Sequence, residues 1–136
     1  MTEEHTPKQI TNILAELDLP FSVKKTPSGK TSWTVDVSAA NSQVVQVILV
    51  AQGDLLYFLY IPLPKSEAPT DPTILSQLLR LNARGDLAKV AVSKDSKLVA
   101  WATLRKSVLT KDSVLQELGR VARAGEQIMT VLSSHS

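Results

Sequence analysis

Histidine is the side chain that titrates near neutrality, and this chain carries two, His5 and His135, one close to each end. Terminal segments fray, so an ordered imidazole base or metal ligand is not expected. Cysteine is absent, which excludes thiolate nucleophiles, zinc–thiolate centres and a disulfide framework. A serine triad needs an ordered histidine, and no Gly-x-Ser-x-Gly elbow occurs. The five glycines, Gly29, Gly53, Gly85, Gly119 and Gly125, stand singly, so the clustered backbone donors of a phosphate-cradling loop are missing. Glu16 and Asp18 lie two residues apart and would not share a helix face. The acids Asp54, Asp71, Asp86, Asp95 and Asp112 fall where turns and helix caps are expected. The expectation is a protein that is not an enzyme, with no metal and no cofactor.

An excess of apolar and aromatic residues remains. In Leu55-Leu56-Tyr57-Phe58-Leu59-Tyr60-Ile61 both alternating sets are apolar, whereas a strand with one wet face alternates apolar with polar. In Leu98 to Arg105, Leu98, Ala100, Ala102 and Leu104 form a core set, yet the opposite set carries Trp101. Too few helices are expected to cover both faces of such a sheet. An uncovered face with Tyr57, Tyr60 and Trp101 as anchors for another polypeptide follows, since aromatic side chains dominate such contacts.

Charge adds a weaker signal. Residues 1–68 carry five basic and seven acidic side chains, and residues 69–136 ten and six. Arg105, Lys106, Lys111, Arg120 and Arg123 could form a basic patch where the last strand meets the last helix. The alternative function is therefore a weakly basic nucleic-acid-binding or regulatory domain. Trp101 is the single aromatic near that charge, and single-strand recognition wants several. The opening Met1-Thr2-Glu3-Glu4 lacks a basic, apolar leader pattern, and no stretch is long and apolar enough to span a bilayer, so the cytoplasm is the expected compartment.

The elements that position these residues follow from periodicity and punctuation. Thr6-Pro7-Lys8-Gln9 predicts a helix start, with Ile10, Ile13, Leu14 and Leu17 as one stripe. Pro20 stops it. Trp33, Val35 and Val37 alternate with polar residues, and Val44–Val50 and Leu55–Ile61 flank a hairpin turn at Ala51-Gln52-Gly53-Asp54. Asp71-Pro72 caps a middle helix carrying Ile74, Leu75, Leu78, Leu79 and Leu81, closed by Asn82 and Gly85. Two strands, Leu87–Ser93 and Leu98–Arg105, precede a long helix capped by Thr110 and marked by Val114, Leu118, Val121 and Ile128. Gly119, Ala122 and Gly125 put a small-residue strip on that helix, for packing on the sheet, a helix break or a partner. Strands joined by short turns are antiparallel. The fold class is α+β with a twisted antiparallel sheet, in one domain spanning 1–136 with an ordered core of about 6–132.

The stretch Leu78-Leu79-Arg80-Leu81-Asn82, the strand Ala88-Lys89-Val90-Ala91-Val92 and the strand Leu98–Leu104, followed by a long helix, resemble the YbjN-type proteins and the type III secretion chaperone-like superfamily. A cyanobacterial and plastid branch of unassigned function is similar. The shared order is helix, strands, helix, two strands, helix. The resemblance implies a non-enzymatic module, often homodimeric, that holds other proteins, with the middle helix and adjacent strands as dimer contact. On this chain that contact falls at Leu75 and Leu79, beside Asn82. The expected partners are a second copy and a further protein.

Overall fold

In the computed structural model, which describes residues 2–25, 27, 29–38, 44–62 and 68–134 with side chains from Pro7 onward, the chain forms nine main elements. They are α1 (Thr2–Glu16), β1 (Phe21–Lys25), β2 (Thr31–Ser38), β3 (Val44–Gln52), β4 (Leu55–Tyr60), α2 (Pro72–Arg80), β5 (Lys89–Val92), β6 (Leu98–Arg105) and α3 (Lys111–Ser133). Asp71 caps α2 as expected, its carboxylate accepting from Thr73 N–H at 2.8 Å. Thr110 caps α3 in a reciprocal box with Ser113. Each cap satisfies a donor that the first helical turn leaves orphaned. Gly53 takes φ +57 at the head of a tight turn, with Gln52 and Leu55 paired across it. The turn is thus two residues long, because β3 continues through Gln52 rather than stopping at Val50.

Six antiparallel strands form one sheet in the order β1-β2-β3-β4-β6-β5, so the α+β class and the element order are as expected. Residues opposite one another share a face, and the register Phe21–Val35, Val35–Val47, Leu49–Phe58, Phe58–Ala102 and Val90–Ala100 defines the two faces. One face carries Trp33, Val35, Val45, Val47, Leu49, Leu56, Phe58, Tyr60, Leu98 and Ala100, all buried. Helix α3 lies across this face, meeting β2 through β6. It buries Val114, Leu118, Val121, Ala124, Gly125 and Ile128. Helix α1 packs beside α3 and buries Ile10, Ile13 and Leu14. The buried Trp33 ties it down, its indole N–H donating to Thr11 Oγ1 at 3.0 Å.

Gly125 explains how closely α3 approaches. A Cβ there would stand 3.0 Å from the Tyr60 ring and 3.1 Å from a Val45 methyl, tighter than side chains pack. The expected packing role of that glycine is met, and α3 does not break there: it runs unbroken for 23 residues.

Three boundaries differ from expectation. Helix α1 begins at Thr2, upstream of Thr6, and takes Pro7 into its body; the Thr6 cap lies outside the described side chains. The missing Pro7 N–H forfeits one helical bond. Strand β5 covers Lys89–Val92 rather than Leu87–Ser93, because Leu87 and Ala88 turn out of the sheet: Ala88 N–H donates to Arg120 C=O at 3.1 Å and Leu87 C=O accepts from Arg120 Nη2 at 3.3 Å. Helix α2 ends at Arg80 in a 3₁₀ turn, Leu81–Ala83, and Asn82 does not serve as its cap.

Candidate functional site

Among the described residues, the other face of the sheet carries no helix and none of its side chains is buried. Two ladders cross it: Thr34–Ile48–Leu59–Trp101–Lys89 and Ser32–Val50–Tyr57–Thr103. Each is polar at its ends and apolar in its middle. With Leu55 and Val99 they make a continuous band of half-buried Ile48, Val50, Leu55, Tyr57, Leu59, Val99 and Trp101. Cross-strand neighbours bury one another partly, but a contiguous apolar patch on a folded surface is the mark of a contact site.

Register separates the aromatic residues proposed for that contact. Tyr57 and Trp101 lie on the open face, on β4 and β6. Tyr60 does not. Three residues from Tyr57, it points to the opposite face, is 7% exposed and packs under Gly125. Burial raises its phenol pKa above the ordinary value. Tyr60 is corrected from a contact residue to a core residue. In its place stand Ile48, Val50 and Leu59. Their signal was the unbroken apolar run through β3 and β4, which alone does not say which residue faces which way.

Leu75 and Leu79 lie at the other candidate contact, on α2. Leu78 is buried, whereas Leu79 is 59% exposed and Leu75 half-buried, so α2 turns an apolar stripe outward. Asn82 has another task. Its side-chain amide donates to Val90 C=O at 3.0 Å and accepts from Val90 N–H at 2.7 Å, as a neighbouring strand would. Ser93 N–H bonds Lys97 C=O, so by antiparallel alternation the Val90 groups point away from β6. Asn82 therefore closes the outer edge of β5, where open strands invite stray pairing.

The basic residues do not converge into one patch. Lys111 and Arg123 stand about 18 Å apart along α3 at 1.5 Å per residue. Arg120 is turned toward Leu87 C=O and toward Glu117, 3.4 Å away. Arg123 donates to Asp86 C=O at 3.1 Å. Arg105 is exposed on the open face beside Leu55, and Lys106 follows it at the strand's end. Asp86 is held below the ordinary carboxylate pKa chiefly by its hydrogen bond from Arg84, with that cation and Arg123 adding to it. Among the described residues no group of acidic or histidine side chains could hold a metal ion, and no helix is long and apolar enough to cross a membrane.

No family model matches this sequence, and no curated protein does. The fold does have a solved counterpart. The chain is similar to a chain of the heterodimeric ExoU–SpcU complex from the type III secretion system of Pseudomonas aeruginosa, with a TM-score of 0.62 over 88% of this chain and 94% of that one, at 18% identity. At that identity the likeness shows the fold alone, an α+β arrangement of helix, four strands, helix, two strands and helix.

Proposed function

We propose that this single-domain protein is a non-enzymatic, chaperone-like binding module, homodimeric through α2 and cytoplasmic, that holds another polypeptide on its open sheet face. The band of Tyr57, Leu59, Ile48 and Trp101, flanked by polar residues and left without a helix, carries the reading. Apolar cores with polar rims are the anatomy of protein contacts. The shared fold with a chain of a secretion-system complex supports it, as does the resemblance to YbjN-type proteins and their cyanobacterial and plastid branch. The outward stripe of Leu75 and Leu79 supports the dimer, which needs about 800 Å² per partner for a stable contact.

Two measurements test the reading. Light scattering at micromolar concentration is expected to give twice 14.8 kDa, and Leu79→Glu to give the single mass. Reduced, carboxymethylated α-lactalbumin, an unfolded reporter, is expected to bind the wild type and to bind Trp101→Ala about thirtyfold more weakly, the scale of a lost aromatic anchor of about 2 kcal/mol. A monomer at all concentrations rules out the dimer. Equal binding by wild type and Trp101→Ala rules out the open face as the holding surface.

A further inference from the structure

The edge of the sheet beside the open face is closed at two places and open at a third. Asn82 occupies Val90, and Ala88 N–H is bonded to Arg120 C=O. Beyond the start of β5, however, β6 runs on through Thr103 and Arg105 with no strand of the described residues on its outer side. Lys106 N–H bonds Asp54 C=O, so antiparallel alternation gives the β4 bonds to Ala102 and Leu104 and points the N–H and C=O of Thr103 and Arg105 outward. Leu87, which a longer β5 would place opposite Thr103, spends its N–H on Arg84 C=O and its C=O on Arg120. The outward groups of Thr103 thus have no backbone partner among the described residues.

A cleft of about 210 Å³ opens at that step, lined by Lys89, Trp101, Thr103, Glu117 and Arg120 with Ala88 and Ala102. It is smaller than the 300–1,000 Å³ typical of small-molecule sites and has room for one side chain. Two cations face one anion, and Glu117, 7% exposed, already leans on Arg120. The Arg120 guanidinium is underused: its two contacts are long, at 3.3 and 3.4 Å, its Nε is buried without a hydrogen-bond partner, and a third of its side chain is exposed.

We propose that this step is the specificity element of the open face: the held polypeptide lays a short extended segment along Thr103–Arg105 and places a carboxylate side chain between Trp101 and Arg120. The inference rests on the open-face reading above. A carboxylate in this cleft stands beside a guanidinium whose Nε has no hydrogen-bond partner, and arginine can offer Nε and an Nη together to a carboxylate in a two-pronged geometry. The backbone pairing is strand addition, in which main-chain bonds give affinity and a side-chain pocket gives selection.

Two blocked hexapeptides of alternating Val and Thr, one with Glu and one with Gln at the same central position, separate the claims in a calorimetric titration at low salt. The Glu peptide is expected to bind at least tenfold more tightly, the scale of a charge-assisted hydrogen bond, and to shift the amide resonances of Thr103 and Arg105 and the Arg120 Nε–H. Arg120→Lys keeps a cation and the stem but not the fork, and is expected to bring the ratio near one. Thr103→Pro removes an outward N–H without touching the β4 ladder and is expected to weaken both peptides. Equal affinity of the two peptides in the wild type, or shifts confined to β1, overturns the inference while leaving the open face standing. No binding of either peptide at millimolar concentration overturns it as well, and the open-face reading is then decided by the α-lactalbumin comparison alone.

Discussion

Gly119 and Gly125 lie six residues apart on α3, and alanine at the two positions is expected to act in opposite directions. Each glycine costs a helix interior about 1 kcal/mol against alanine. At Gly119 a new methyl group would meet the tip of the Arg123 side chain at 3.2 Å, and an exposed, flexible side chain gives way. Gly119→Ala therefore gains most of that 1 kcal/mol. At Gly125 the neighbours are the Tyr60 ring and Val45, both buried and both on strands held by the sheet. Overpacking of a seated core costs about 1–3 kcal/mol, which offsets or exceeds the propensity gain. The two variants should differ by about 1–3 kcal/mol, or roughly 3–10 °C in Tm for a chain of this size. Urea unfolding followed by circular dichroism reads the difference as a shift in midpoint at constant slope. Equal stabilisation by both alanines would mean that α3 is not seated on Tyr60 and Val45. The choice of which sheet face is bare would then be wrong.

Other substitutions test the remaining parts. Asn82→Ala leaves the Val90 N–H and C=O without their partner and is expected to cost about 1–3 kcal/mol; exchange of the Val90 amide should quicken, and the opened β5 edge should raise aggregation on concentration. Asp71→Ala and Thr110→Ala each remove a cap and should each cost about 1 kcal/mol, read in the same urea titrations. Asp86, with its folded pKa below the unfolded value, contributes stability that is present above the ordinary carboxylate range and fades as pH falls through the lower folded value. Its side chain is half exposed, so the effect is small and high salt should erase it. A carboxyl-carbon NMR titration should place the Asp86 midpoint below that of a free aspartate, and Arg84→Gln should raise it.

What could be read from the chain was whatever one residue or one short period determines. Asp71-Pro72, Thr110 and Gly53 each impose a local geometry, and each sits where expected. So does the Leu98–Arg105 strand, whose core set is small and apolar. Tyr60 shows the limit. In Leu55–Tyr60 both alternating sets are apolar, so periodicity cannot orient the strand, and only the cross-strand register puts Phe58 and Tyr60 under α3 and Tyr57 outside. Asn82 shows another. At the end of a helix it reads as a cap, but its amide is satisfied eight residues onward, by a strand whose position depends on the whole sheet.

The charge asymmetry between the two halves also changes meaning once the chain is folded. Arg84 bonds the Asp86 carboxylate, Arg123 the Asp86 carbonyl and Arg120 the Leu87 carbonyl. Three guanidinium groups of the basic half thus fasten one short segment, 84–87, between α2 and β5, on the side of the sheet that α3 covers. A nucleic-acid footprint needs cations aligned toward solvent and interleaved with stacking aromatics. Here Tyr57 and Trp101 lie on the far face, Arg84 and Arg123 are spent on Asp86, and of the three only Arg120 comes near an aromatic ring, Trp101, at the edge cleft. That division favours a polypeptide on the open face, where Trp101 and Tyr57 supply apolar area and Lys89 and Arg105 stand at the rim to choose among acidic and neutral segments.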